Sequence, residues 1–188
     1  TGEADRWLML DDIKRLPKWK DIVTVKTWIN SLENSRSTRC LELYLGDEKI
    51  VGCETFWAVF NTQTRRPENL SLQHEYFEKY PNDKATEIQF SKIDTSIDKA
   101  FVAEKTILLS DLDIVNHANS VKYLEWCLDN VEPNLLLNQK VESFEMNYLK
   151  EVSLEDTITI EKSHLEKPMV FTVNSNDKTC FALQLNFK

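Results

Sequence analysis

The chain has 188 residues, 23 basic and 31 acidic, for a formal net charge of −8, which argues against a nucleic-acid partner held by its phosphates. Hydrophobic residues make up 41% and aromatic residues 10%, enough for a packed core. No uncharged apolar run approaches the roughly 18 residues that a membrane span needs. Cys40, Cys53, Cys127 and Cys180 lack the close spacing of zinc or thiol-redox motifs, and Gly2, Gly46 and Gly52 cannot form a glycine-rich phosphate cradle.

The opening Thr-Gly-Glu-Ala-Asp-Arg has neither a basic flank with an apolar stretch nor a cleavage pattern, so no secretory signal is visible and a cytoplasmic location is expected. Val23/Val25, Leu41/Leu43/Leu45 and Val51/Cys53/Thr55/Trp57/Val59 then alternate with polar residues, the signature of half-buried antiparallel strands, and Gly46-Asp47 marks a turn. Residues 65–98, opening on Arg65-Arg66-Pro67, are polar and charged and read as a linker, with a helix-like stretch from Leu72 to Tyr80 that ends at Pro81.

An extended run begins near Lys99. Ala118, Val121, Leu124, Leu128 and Val131 recur at three- and four-residue steps while Lys122, Glu125 and Asp129 fill the opposite face. This predicts a core-facing helix near 117 to 131, about four turns long, with Asn116 as N-cap and Pro133 past its end. Tyr123, Trp126 and Cys127 flank the stripe and read as core. Phe144/Met146/Tyr148, Ile158/Ile160, Met169/Phe171/Val173 and Phe181/Leu183/Leu185/Phe187 are further strands, and the turn-forming residues 174–177 separate the last two.

The chain also echoes itself. Ile13-x-x-Leu16 followed by Asp21-Ile-Val-Thr-Val25 resembles Met146-x-x-Leu149 followed by Asp156-Thr-Ile-Thr-Ile160. Two copies of one α+β domain are expected, residues 1 to about 82 and about 83 to 188. Asp156 lies 57 residues after Lys99, whereas Asp21 has 20 residues before it, so the first copy lacks an opening strand and helix, as if the chain started inside its first repeat. An apolar sheet face without its helix needs a cover, from preceding residues or from a second chain in a homodimer.

A strand, one helix and then four antiparallel strands is the order of a hotdog domain. At the helix start stands Asp111-Leu-Asp-Ile-Val-Asn-His-Ala-Asn-Ser-Val-Lys-Tyr-Leu-Glu-Trp126. This segment closely resembles the acyl-acyl-carrier-protein thioesterases of plants and bacteria, which are two fused hotdog domains. The likeness extends through Arg6-Trp-Leu-x-x-Leu, Leu16-Pro-Lys-Trp19, Val25-Lys-Thr-Trp28 and Thr62-Gln-Thr-Arg-Arg-Pro67. By that resemblance Asp113 matches the family's acidic site residue, His117 its histidine and Glu151 its glutamate. The family's Asn two places after the Asp is replaced by Val115, with Asn116 one place later. Val152 stands where many members have Cys, which excludes a cysteine nucleophile there.

The resemblance implies hydrolysis of a fatty acyl thioester of the acyl carrier protein, with no metal or organic cofactor. Glu151 would take the proton of the attacking water, a contribution of typically 10²–10⁴ in rate. Backbone N–H groups at His117 and Ala118 would hold the oxyanion, each such donor being worth roughly 3–4 kcal/mol. Asp113 would orient His117 or accept hydrogen bonds from the turn. Asn116 or Asn119 would position water or thioester, and Tyr123 would line the substrate. Asp113, Asn116, His117 and Glu151 are expected to converge on one pocket between the repeats. Two alternatives stay open: a non-catalytic acyl-binding hotdog protein, and an acyl-coenzyme A thioesterase or dehydratase of the same superfamily. The basic run Lys14-Arg15, Lys18 and Lys20 is a solvated edge or meets the acidic carrier.

Overall fold

The computed structural model describes residues 2–11, 13–61, 63–64, 66–69, 73–88, 91–138, 140–165 and 167–188, the side chains of 2–11 and 60 excepted. Thr62 and Arg65 of the Thr-Gln-Thr-Arg-Arg-Pro run, and Leu72 of the helix-like stretch, fall outside the described residues. The chain divides into two compact units, residues 1–91 and 92–188.

The first unit is a four-stranded antiparallel sheet built from β1 (Gly2–Asp11), β2 (Val23–Glu33), β3 (Arg36–Leu45) and β4 (Glu48–Phe60), in the order β2-β3-β4-β1. Alternation predicts the last three. β1 goes unmarked because its apolar residues, Trp7 to Leu10, form a run and do not alternate.

Residues 80–86 lie across one face of this sheet. The Trp28 indole N–H donates to the Asp83 carbonyl at 3.0 Å, the Asn30 amide donates to the carbonyls of Tyr80 and Asp83, and Lys49 Nζ donates to that of Ala85. Gly52 is required beneath them, since a Cβ there would collide with the Ala85 carbonyl oxygen. On the opposite face Leu41, Leu43 and Leu45 are half-buried and Val25 is 56% exposed.

The second unit repeats that sheet and adds to it. β6 (Val141–Tyr148), β7 (Thr157–Ser163), β8 (Met169–Ser175) and β9 (Lys178–Phe187) pair as β6-β9-β8-β7, and β5 (Lys99–Thr106) extends the edge beside β7. A single 3-10 turn, Leu109–Asp111, and the helices α1 (Ser120–Leu128) and α2 (Pro133–Asn138) lie between β5 and β6. Tyr123 of α1 packs on Phe181 and Tyr148 with ring centroids 5.3 and 5.9 Å apart. Ile93 and Ile97 pack against Val170 and Ala182. With cover on both faces β8 and β9 are buried nearly throughout, not half-buried as alternation predicts.

The echo is real at the level of backbone turns. In the turn 18–21 the Lys18 N–H donates to the Asp21 carboxylate at 2.8 Å and the Asp21 N–H donates to the Lys18 carbonyl. In the turn 153–156 the Ser153 N–H donates to the Asp156 carboxylate at 2.8 Å and the Asp156 N–H donates to the Ser153 carbonyl. The third residue of each, Lys20 and Glu155, is left-handed at φ 77° and 67°. One offset, 135 residues (156 less 21), relates the two. Among the described residues the first unit has no counterpart of β5 or α1.

Three expectations need correction. The helix is shorter than four turns and is capped by Asn119, whose carboxamide oxygen accepts the Val121 N–H at 3.0 Å; Asn116 lies in the preceding loop at φ 63°. Its buried face is Tyr123, Trp126 and Cys127, while Val121 is exposed and Leu124 and Leu128 are half-buried. The part of the 72–80 stretch that is described forms turns, closed by the Phe77 N–H on the His74 carbonyl, with Tyr76, Phe77 and Tyr80 exposed. So short a segment has no packed face to keep it helical.

Candidate active site

The site is built on the second unit, from the loop that enters α1 and the loop that leaves β6. Asp111 anchors the first. Its buried carboxylate accepts the Leu108 N–H at 2.9 Å and faces Lys105 Nζ at 3.0 Å, and its carbonyl accepts the Asn119 N–H at 2.8 Å. Burial pushes the acid's pKa up, but the Leu108 amide and the Lys105 ammonium outweigh it and hold the carboxyl below its ordinary range.

Residues 112–118 close into a loop above that anchor. Asp113 Oδ1 accepts the N–H groups of Val115 at 2.9 Å and His117 at 3.1 Å, and the Asp113 N–H donates to the His117 carbonyl at 2.8 Å. Asp113 therefore holds the loop's backbone. Asn116 supplies the left-handed residue such a loop needs, a conformation asparagine tolerates better than most side chains, and it is exposed. Ile114 and Val115 are exposed beside it.

β6 ends at Tyr148, and the next two N–H groups, of Leu149 and Lys150, both donate to the Cys180 carbonyl at 2.8 and 3.0 Å. That doubling ends the alternation and turns Glu151 toward the helix start. His117 Nε2 and Glu151 Oε2 are 3.8 Å apart, with the two side chains 44% and 41% exposed. A water or carbonyl seated beside them has a carboxylate and an imidazole within reach at once.

Of the residues singled out from sequence, the structure brings Asp113, Asn116, His117 and Glu151 into one neighbourhood. It gives two others different work. Asn119 is the helix cap, and Tyr123 is buried, its phenol oxygen accepting the Val152 N–H at 3.2 Å. The backbone donors expected at the helix start are also engaged: the His117 N–H by Asp113, and the Ala118 N–H by the Val152 carbonyl at 3.2 Å. Lys105 and Asp111 escape sequence reasoning, although Asp111 stands two places before Asp113 in the motif. Among the described residues no group of three His, Cys, Asp or Glu side chains could hold a metal ion, and no helix is long and apolar enough to cross a membrane.

Comparison with known proteins bears on the family and the fold. Residues 8–80 match the acyl-ACP thioesterase N-terminal domain and residues 94–186 the acyl-ACP thioesterase C-terminal domain. The chain is 27% identical over 162 residues to an oleoyl-acyl carrier protein thioesterase, chloroplastic, of Coriandrum sativum, covering 78% of this chain and 43% of that protein. It is 24% identical over 156 residues to a palmitoyl-acyl carrier protein thioesterase, chloroplastic, of Cuphea hookeriana, covering 78% and 37%. It thus spans about two fifths of the length of these relatives. The fold matches an acyl-ACP thioesterase from Bacteroides thetaiotaomicron with a TM-score of 0.87 at 22% identity, over 99% of this chain and 76% of that one. It also matches the 12:0-ACP thioesterase from Umbellularia californica with a TM-score of 0.83 at 19% identity, over 100% and 75%. With both domain models matched in order and both units folded as tandem hotdog sheets, the chain belongs to the acyl-ACP thioesterase family.

Proposed function

We propose that the chain contributes the hydrolytic centre of an enzyme that releases free fatty acid from fatty acyl-acyl carrier protein. The observation that carries this reading is the approach of His117 and Glu151 from separate loops to 3.8 Å, beside a loop locked by Asp113.

In this reaction Glu151 takes a proton from water as the oxygen bonds to the thioester carbon. The carbonyl oxygen gains negative charge. With the amides of His117 and Ala118 occupied, side-chain N–H groups of His117 and Asn116 meet that charge. The carbon–sulfur bond then breaks, and the proton on Glu151 passes to the carrier's sulfur. The products are a free fatty acid and the carrier thiol, and no cofactor enters the balance.

The test is hydrolysis by the full chain of a chain-length series of acyl-acyl carrier proteins. Glu151→Gln, which keeps size and removes the base, is expected to lower turnover about 10²–10⁴-fold with an unchanged melting curve. Activity that survives this change sinks the proposal. One observation favours a second reading, a non-catalytic acyl-binding protein: the backbone donors at the helix start have partners already. That reading expects association with acyl-acyl carrier protein and no release of fatty acid.

A further inference from the structure

His117 and Glu151 belong to different loops, so something must fix the distance between them. Val152, the residue next to Glu151, is held through both of its backbone polar groups. The Val152 carbonyl accepts the Ala118 N–H at 3.2 Å, and the Val152 N–H donates to the Tyr123 phenol oxygen at 3.2 Å. Ala118 is the neighbour of His117, and Tyr123 lies on the helix that follows. Both anchors of the Glu151 loop at this point therefore come from the element that carries the histidine.

The phenol is well placed for such a task. Tyr123 is 4% exposed, with its ring set among Trp126, Tyr148 and Phe181 at centroid distances of 5.1, 5.9 and 5.3 Å. Packing fixes the ring and leaves its oxygen no freedom to follow a moving loop. Burial pushes the phenol pKa up to about 12, so the group stays neutral. Val152 is 1% exposed, and its N–H, away from water, depends on this acceptor.

The first unit supplies a comparison. At the 135-residue offset set by the two aspartate turns, two residues away from the register that pairs Leu16 with Leu149, Val152 corresponds to Pro17 and Glu151 to Leu16. Where the repeat has no glutamate to aim, it also has no N–H to hold.

We propose that Tyr123 is a positioning residue that sets Glu151 against His117 through the Val152 amide. This rests on the hydrolase reading above. Tyr123→Phe keeps the ring and its packing and removes only the acceptor, leaving a buried N–H unpaired. A displacement of the order of 1 Å at a catalytic group costs up to about 10²-fold in rate. Tyr123→Phe in the full chain is therefore expected to lower kcat roughly 10- to 100-fold on acyl-acyl carrier protein while KM changes by less than about two-fold.

The deciding measurement is a double-mutant cycle. If Tyr123 acts through Glu151, adding Tyr123→Phe to Glu151→Gln lowers the residual rate no further. An equal loss in both backgrounds, or no loss in the parent, overturns the proposal. Full activity of Glu151→Gln alone removes the hydrolase reading and this role with it, whereas a large Glu151→Gln effect beside a silent Tyr123→Phe removes only the role. Amide hydrogen exchange on the unaltered protein needs no variant: the Val152 N–H is expected to be protected as strongly as that of Ala118, and rapid exchange at Val152 overturns the clamp.

Discussion

The turns at 18–21 and 153–156 share one backbone and sit in two environments. Each is closed by an aspartate at its last position and each places its third residue in the left-handed region. In the second unit the turn is bonded to the residue after β5, although Ser153, Leu154 and Glu155 are themselves exposed: the Glu155 N–H donates to the Ile107 carbonyl at 3.0 Å, and the Ile107 N–H donates to the Asp156 carbonyl at 2.9 Å. Val152, just ahead of it, is buried beneath α1. In the first unit the same turn stands in solvent, with Trp19 90% exposed and Leu16 and Ile22 also open. The difference separates two kinds of cause. An aspartate just ahead of a strand fixes the turn locally, so it is repeated. What the turn presents depends on β5 and the helix start, which among the described residues only the second unit has, so it is not repeated.

Moving the glutamate tests the difference between the two turns most directly. Glu151→Leu combined with Leu16→Glu exchanges the two repeats at this position. If the second turn alone is a catalytic setting, hydrolysis of acyl-acyl carrier protein falls about 10²–10⁴-fold and the carboxylate introduced in the first unit restores none of it. Recovery of more than a small fraction of the parent rate means that the first unit's turn is an equivalent setting after all.

Packing differs in the same sense. Phe181 is fully buried under Tyr123 and Tyr148, and Phe181→Ala is expected to cost about 3–5 kcal/mol in urea unfolding. Leu43 is half-buried on the first sheet, and Leu43→Ala is expected to cost roughly 1–2 kcal/mol. Equal losses would mean that the leucine face is covered in solution.

How much of this was legible in the sequence follows from how local each cause is. Strands β2 to β4 and β6 to β9 declare themselves through alternating side chains, and the hairpin between β8 and β9 through Asn176 and Asp177, both left-handed at φ 50° and 58°. Local reading places the helix cap at Asn116, although by residue type Asn119 is as good a cap. Only the Asp111 carbonyl, which draws the Asn119 N–H to 2.8 Å, decides between them. The direction of Glu151 was unreadable for a like reason. Period two assumes one carbonyl per amide along the ladder, and the sharing of the Cys180 carbonyl by two consecutive N–H groups is a contact with a residue far along the chain. The acidic, histidine and glutamate candidates come from the family resemblance, not from any periodicity, and their grouping rests on those same long-range bonds.

Glu54 marks another asymmetry. It is fully buried at the centre of β4, opposite Cys40 of β3, and among the described residues neither carboxylate oxygen has a hydrogen-bond partner. In the second unit the buried Asn147 of β6, by contrast, accepts the Ile93 N–H at 2.8 Å. A buried polar group without partners costs about 1–3 kcal/mol. Glu54→Leu, close in volume, is therefore expected to raise the stability of the chain by about that amount, read as a higher urea midpoint with unchanged slope. A fall in the midpoint would mean that the carboxyl has a partner in solution.

The smallest effect discriminates most finely. Asp21→Ala and Asp156→Ala each remove the acceptor of one turn N–H, of Lys18 or of Ser153, at the same 2.8 Å. Each bond is worth about 0.5–1.5 kcal/mol, and more when the acceptor is charged. Because both turns use the same local device, the two substitutions are expected to lower stability by similar amounts. Their effects on turnover should differ. Asp156 closes the turn directly after Val152, so its loss frees the C-terminal side of the segment that aims Glu151, and kcat should fall several-fold. Asp21 closes a turn whose neighbours are Leu16 and Pro17, and kcat should stay within about two-fold of the parent. Stability change without a kinetic difference would show that Glu151 is held only from the helix side, through Ala118 and Tyr123, and that the aspartate turn is a fold element alone in both units.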